Sequence, residues 1–156
     1  GTFSKSLFPA LRAAWLVVPL PQVAAFRQQA EWMSCSVPTL WQQTLADFIH
    51  EGHFWRHLKK MRTCYAQRRQ WLESALLAQG FSVVPQLGGI QLVIAVNGDD
   101  RALALKARQA GLSVQALSDW RIRHAGEGGL LMSFTNIRSP AMADGLARRL
   151  REAIAI

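Results

Sequence analysis

Apolar positions recur along this chain at changing intervals, and the changes mark its elements. Leu16, Val17 and Val18 form a continuous branched run that stops at Pro19, which predicts a short buried strand ended where proline removes a backbone donor. Behind Pro21, Val23, Phe26, Ala30 and Met33 return at helical spacing, so an amphipathic helix is expected over 21–33, with Trp32 near the same face. The small polar residues 34–36, leading to Pro38, predict a turn. Leu40, Trp41, Leu45, Phe48 and Ile49 then mark a second amphipathic helix closed by Gly52. The third and longest helix is expected over 53–79, with Gly80 in the stop position. Leu58, Met61, Tyr65, Leu72, Ala75 and Leu76 lie mostly on one stripe of it, and Arg56, Lys59, Lys60, Arg62, Arg68 and Arg69 occupy the remainder.

After Gly80 the period shifts towards that of strands. Residues 81–85 read as a strand, Gly88-Gly89 as a tight turn, and 90–96 as a second, nearly all-apolar strand. Asn97-Gly98-Asp99-Asp100 caps a helix over 101–110 that Gly111 ends. A strand over 112–117 precedes a polar loop over 118–129 containing Trp120, Arg121, Arg123, His124 and Glu127. The last strand is expected over 130–134. Ser139 and Pro140 open a final helix reaching Ile154, with Met142, Leu146, Leu150 and Ile154 inward. Strands interleaved with helices in this way describe a small α+β domain, its helices on one face of a mostly antiparallel sheet.

Composition narrows the picture modestly. The 156 residues, half of them hydrophobic, suffice for a core of ordinary domain size. A net charge of +8 favours polyanionic partners such as nucleic acid or an acidic protein surface. The basic residues of the long helix, with Trp55 and Tyr65, have the chemistry to neutralise phosphates and stack on bases. They lie on several sides of the helix, however, which favours a solvated face. Cys35 and Cys64 show no zinc or disulfide spacing and suit a reducing cytoplasm. No apolar run approaches the roughly 20 residues that cross a bilayer, so no membrane partner is expected. His53 and His57 stand one helical turn apart, a spacing able to chelate; with His50 and His124 they are read as surface or interfacial residues, and no metal site is expected.

The densest chemistry opens the chain. Gly1-Thr2-Phe3-Ser4-Lys5-Ser6-Leu7-Phe8-Pro9-Ala10-Leu11-Arg12 brings an amine, hydroxyls and a guanidinium into one short stretch. Partial desolvation of Lys5 among small and apolar neighbours would favour its free amine for Schiff-base chemistry. Thr2 and Ser4 fall on one side of an extended segment, and Arg12 offers a planar fork of donors suited to a phosphate dianion.

This stretch, with Leu16-Val17-Val18-Pro19 behind it, closely resembles the pyridoxal-phosphate lysine segment of fold type I (class I/II) aminotransferases. It looks most like the aminotransferase-like domain of MocR-type regulators, a branch of the GntR family of bacterial transcription factors. A second stretch, His57-Leu58-Lys59-Lys60-Met61-Arg62 with Tyr65 and Arg68-Arg69, is similar to the MocR helix that bridges a large and a small domain. By that resemblance Lys5 carries the Schiff base to pyridoxal 5'-phosphate, and Thr2, Ser4 and Arg12 hold the cofactor phosphate. The implied fold combines α/β and α+β parts. Residues 1–79 would be the C-terminal segment of the large cofactor domain, including an inner strand at 16–18 and the bridging helix, and 80–156 the small C-terminal α+β domain. Gly88 and Gly89 would let the backbone approach the substrate or effector side of the cofactor; read from the residues alone they make a hairpin turn, and both readings stand.

The resemblance also implies what lies elsewhere. Relatives place a winged-helix DNA-binding domain and the first half of the cofactor domain ahead of the lysine segment. The chain is therefore expected to be a C-terminal portion that touches DNA only through that absent domain and retains the cofactor weakly or not at all alone. The family's dimers imply a homodimer for the full-length protein. Active aminotransferases carry an arginine for the substrate carboxylate in the strand before the last helix, and alignment on Phe134 puts Leu131 there. A buried leucine penalises a carboxylate, although Arg123 or Arg138 could substitute from neighbouring loops. Effector sensing in a regulator, with a small amine or amino acid as ligand, is the leading expectation. A fragment of an active class I/II aminotransferase is the alternative, and a remnant that binds nothing is a third reading.

Overall fold

The structure is a computed structural model that describes residues 1–33, 37–122 and 126–154. The turn expected at 34–36, including Cys35, lies outside the described residues, as do Arg123 and His124. Two compact units emerge, Gly1–Met61 and Arg62–Ile156, divided within one long helix.

The first unit holds a looped segment over 1–15, a 3-10 turn at Leu20–Gln22, helix α1 (Val23–Trp32), helix α2 (Thr39–His50) and the beginning of helix α3 (His53–Ala78). The helices arise where the apolar spacing places them, and Gly52, at φ 73°, separates α2 from α3. Neither α1 nor α2 contains a buried residue. Trp32, Met33, Leu40, Trp41 and Ile49 are exposed, whereas Val23, Leu45 and Phe48 are half-buried. The strand expected over 16–18 does not form. Leu16 and Val17 are 69% and 84% exposed, and the local pairing ends at a single antiparallel bridge, Thr2 to Ala14. Branched apolar residues favour extended backbone, but a strand needs a ladder partner, and the described residues supply none there.

The second unit contains the core. Strands β1 (Ser82–Val83), β2 (Gln91–Val96), β3 (Gln115–Ala116) and β4 (Gly128–Ser133) form an antiparallel sheet in the order β1-β2-β4-β3. Alternation along β2 and β4 turns Leu92, Ile94, Leu130 and Met132 towards one face. There they pack with Leu72 and Leu76 of α3, Leu103 of helix α4 (Asp100–Gln109) and Leu150 of helix α5 (Pro140–Ile154). At roughly 1.5–3 kcal/mol per buried large side chain, this layer dominates the stability of the unit. The expected strands over 81–85 and 112–117 contract to paired dipeptides; Phe81, Leu112 and Val114 are buried outside the paired positions. Gly88-Gly89 is not a tight turn. Pairing ends where the Val84 amide donates to the Val93 carbonyl at 2.8 Å, and a wider loop over 85–90 makes the connection.

β4 starts at Gly128, earlier than its apolar run, since both of its glycines pair with β2. A Cβ on Gly129 would stand 2.9 Å from Val93 Cγ1, so only glycine fits beside that neighbour. Asp100 ties this start to α4. It is 2% exposed, and its Oδ2 accepts from the Ser118 amide at 3.1 Å, the Ser118 hydroxyl at 3.0 Å and the Gly129 amide at 3.0 Å. Burial raises its carboxyl, but these donors, with the nearby Arg101 charge, lower it further, and the net position is below the ordinary carboxylate value. Asp99 meanwhile caps α4 by accepting from the Arg101 and Ala102 amides. The adjacent acids thus split the work of starting the helix and anchoring it.

Candidate functional site

The segment over 1–15 folds back on itself. The Thr2–Ala14 bridge closes its base, and the Phe3 amide donates to the Ala13 carbonyl at 3.0 Å. From Phe3 the backbone leaves the extended conformation that alternation suggested and makes a turn, in which the Leu7 amide donates to the Phe3 carbonyl at 2.8 Å. Thr2 and Ser4 still meet, for a different reason. The Thr2 hydroxyl accepts from the Ser4 amide at 3.2 Å and donates to Ser4 Oγ at 3.1 Å, a hydroxyl-centred turn. Lys5 follows on the crest, exposed. The cover expected from its small and apolar neighbours is therefore not supplied within this segment.

Arg12 closes the other arm. A 3-10 turn at Pro9–Leu11 ends with the Arg12 amide donating to the Pro9 carbonyl at 3.1 Å. Arg12 itself takes φ 51° and ψ 27°, the left-handed region, and is the one described non-glycine residue with positive φ. An L-residue there costs on the order of 1 kcal/mol, a local strain of the kind found at ligand clamps. Neither the Lys5 amine nor the Arg12 guanidinium has a hydrogen-bond or ion-pair partner among the described residues. The loop thus assembles Thr2, Ser4 and Lys5 on one turn and sets Arg12 beside the residues that close its base.

Other residues singled out by sequence fall elsewhere. Gly88 and Gly89 belong to the second unit. Gly89 has φ 97°, so its backbone requires glycine, and nothing in the structure lies within 4 Å of a Cβ on either. Leu131 lies on β4 between Val93 and Gln115, on the sheet face away from the helices, and is half-buried. Arg138 is exposed, and Arg123 is outside the described residues. Part of the basic helix is structural: Arg68 donates to the Thr135 carbonyl and Arg69 pairs with Glu73.

The histidines have local partners. His50 Nδ1 donates to the Ala46 carbonyl at 2.9 Å, while His53 contacts Glu51 at 3.0 Å and Arg56 at 2.9 Å. His57 Nε2 lies 2.9 Å from the Ser6 carbonyl. Among the described residues no group of three or more His, Cys, Asp and Glu could hold a metal ion, and no helix is long and apolar enough to cross a membrane. Sequence reasoning missed the left-handed Arg12, the buried Asp100 and the His57–Ser6 contact.

A lysine turn with adjoining hydroxyls and an unpaired arginine, followed by helices and a small antiparallel α+β unit, defines an aminotransferase-like architecture. The kynurenine aminotransferase of Pyrococcus horikoshii, solved in complex with PMP, superposes on 99% of this chain and 39% of its own, with a TM-score of 0.86 and 19% identity, a likeness of fold. The chain belongs to the aminotransferase class I and II family, whose model matches residues 1–150. In sequence it is similar to the probable rhizopine catabolism regulatory protein MocR of Rhizobium meliloti, 32% identical over 94% of this chain and 31% of that protein. It is also similar to the HTH-type transcriptional regulator TauR of Rhodobacter capsulatus, 35% identical over 74% of this chain and 25% of that protein. The chain spans about a third of the length of MocR.

Proposed function

We propose that this chain is the lysine-bearing portion of a pyridoxal-phosphate-binding, effector-sensing domain in a MocR-type transcriptional regulator. The observation that carries the reading is the loop over 1–15, which presents an amine with no partner among the described residues next to paired hydroxyls, and a guanidinium, likewise unpartnered among them, on the left-handed backbone of Arg12. That donor set fits the group: an amine for an aldehyde, and hydroxyls with an arginine fork for a phosphate dianion. When bound, pyridoxal phosphate supplies an aldehyde that condenses with amines and a ring that withdraws electrons. Lys5 Nζ would bear the cofactor and yield its place to an incoming amine. Thr2 and Ser4 would donate to the phosphate, and Arg12 would neutralise it.

Residues 1–79 would belong to the large cofactor domain with its bridging helix, and 80–156 to the small domain. DNA would be met by another part of the protein, as the names of the HTH-type relatives suggest, and a homodimer would complete the site. Gly88 and Gly89 would border the effector. Leu131 favours sensing over turnover, since a half-buried hydrocarbon cannot pair with a substrate carboxylate. The test is borohydride reduction of the full-length protein with pyridoxal phosphate, followed by peptide mass spectrometry. Cofactor fixed on Lys5 and lost in Lys5→Ala supports the reading, and an unlabelled Lys5 removes it. Sustained turnover of an amino acid with a keto acid by the same protein would favour the enzyme instead.

A further inference from the structure

One more polar side chain reaches the lysine turn. His57, half-buried on the first turns of α3, directs Nε2 to the Ser6 carbonyl at 2.9 Å, across 51 positions of sequence. A carbonyl only accepts, so Nε2 carries the hydrogen whether the ring is neutral or cationic. Phe54, on the preceding turn of the same helix, meets Phe3 edge-on, with ring centroids 5.7 Å apart and planes at 68°. The helix therefore grips the turn on both sides of Lys5, at Phe3 and at Ser6.

We propose that His57 is a positioning residue for Lys5, its Nε2–H holding the Ser6 carbonyl and with it the Ser6–Leu7 peptide that closes the lysine turn. The proposal rests on Lys5 being the cofactor lysine. Among the described residues the amine has no partner of its own to aim it, so its direction is set by the backbone beneath. On the N-terminal side the Thr2 hydroxyl holds the Ser4 amide. On the C-terminal side the Ser6–Leu7 peptide is held at both ends, its Leu7 amide by the Phe3 carbonyl and its Ser6 carbonyl by His57. Without that donor the Ser6–Leu7 peptide keeps one of its two anchors, the Leu7 amide on the Phe3 carbonyl, and the turn that carries Lys5 loosens. A displacement of about 1 Å at a reacting group can slow its chemistry by up to about 100-fold.

The intact protein should be compared with His57→Leu, which lacks the donor, and His57→Gln, which keeps an amide N–H within reach of the same carbonyl. The first readout needs no cofactor: the reactivity of Lys5 towards a small acylating reagent, taken relative to Lys106 in the same molecule. The second is the rate at which pyridoxal phosphate becomes fixable on Lys5 by borohydride. With leucine, the reactivity ratio should change at least about threefold and attachment should slow about tenfold, while glutamine restores both to within about twofold of wild type. Cofactor fixed on wild-type Lys5, with the leucine and glutamine variants indistinguishable, overturns the role of His57 alone. Wild-type protein with no cofactor on Lys5 overturns the reading of the lysine, and the proposal with it.

Discussion

Arg12 serves two purposes that substitution can separate. Its guanidinium is the fork proposed for the cofactor phosphate, and its backbone is the left-handed corner that ends the 3-10 turn. Arg12→Ala removes the first and leaves the strain. The dissociation constant for pyridoxal phosphate in the full-length protein should rise about 10- to 100-fold by absorbance titration, the worth of charge-assisted hydrogen bonds. Arg12→Gly should bind as weakly as the alanine variant yet unfold later without cofactor, by about 1 kcal/mol, because glycine occupies the corner freely. Asp100 invites a test of a different kind. Asp100→Ala leaves the Ser118 and Gly129 donors without an acceptor and should destabilise the protein by about 2–4 kcal/mol in urea unfolding at neutral pH. The folded carboxyl lies below its ordinary value of 3.8. Its contribution is therefore fully present above that value and is lost as pH falls through the lower folded value. The gap between wild type and Asp100→Asn should accordingly narrow below about pH 4.

The glycines flanking these anchors show how elements are matched to one another. Gly129→Ala would push a methyl to 2.9 Å from Val93 Cγ1 and 3.2 Å from Leu117 Cδ2, and should cost about 1–3 kcal/mol in thermal or urea unfolding. Gly145, within α5, has nothing within 4 Å of an added Cβ, and Gly145→Ala should stabilise by about 0.5–1 kcal/mol through helix propensity. Reversal of these signs would show that the packing at β4 is misread. Helices were legible in the sequence because their signals are local. α3 begins at the expected His53 and ends at Ala78, just ahead of Gly80 at φ 78°, and the acidic pair at 99 and 100 announced α4. Strands were less legible, since an apolar run reports burial or branching and says nothing of a partner. That is why 16–18 failed and why 81–85 and 112–117 shortened. In the candidate site, the types of Thr2, Ser4, Lys5 and Arg12 could be read directly. The backbone sign at Arg12 and the reach of His57 to Ser6 could not, because contacts between distant positions leave no periodic trace.

Burial is divided unequally between the two compact units, and that division bears on how far the proposed site can work within these 156 residues. The continuous core of Leu72, Leu92, Ile94, Leu130, Phe134 and their neighbours lies within Arg62–Ile156. In Gly1–Met61, by contrast, Ala13 is the one buried hydrophobic residue among those described, and Trp15, Leu16, Val17 and Leu20 stand 56–89% exposed. Local stability follows buried apolar contact, so the unit holding Lys5 and Arg12 is the weaker one when this chain stands alone. Hydrogen exchange on the isolated chain should find the amides of β2, β4 and α5 slow to exchange and those of α1 and α2 close to unprotected. A loop on so soft a support cannot preorganise its amine and guanidinium, so the isolated chain should hold pyridoxal phosphate at least about 100-fold more weakly than the full-length protein. In the full-length protein, α1 and α2 should become protected and the cofactor retained. Equal protection of both units in the isolated chain, together with a stoichiometric cofactor complex abolished by Lys5→Ala, would show that the first unit needs no further cover and would locate the whole determinant of binding in the loop itself.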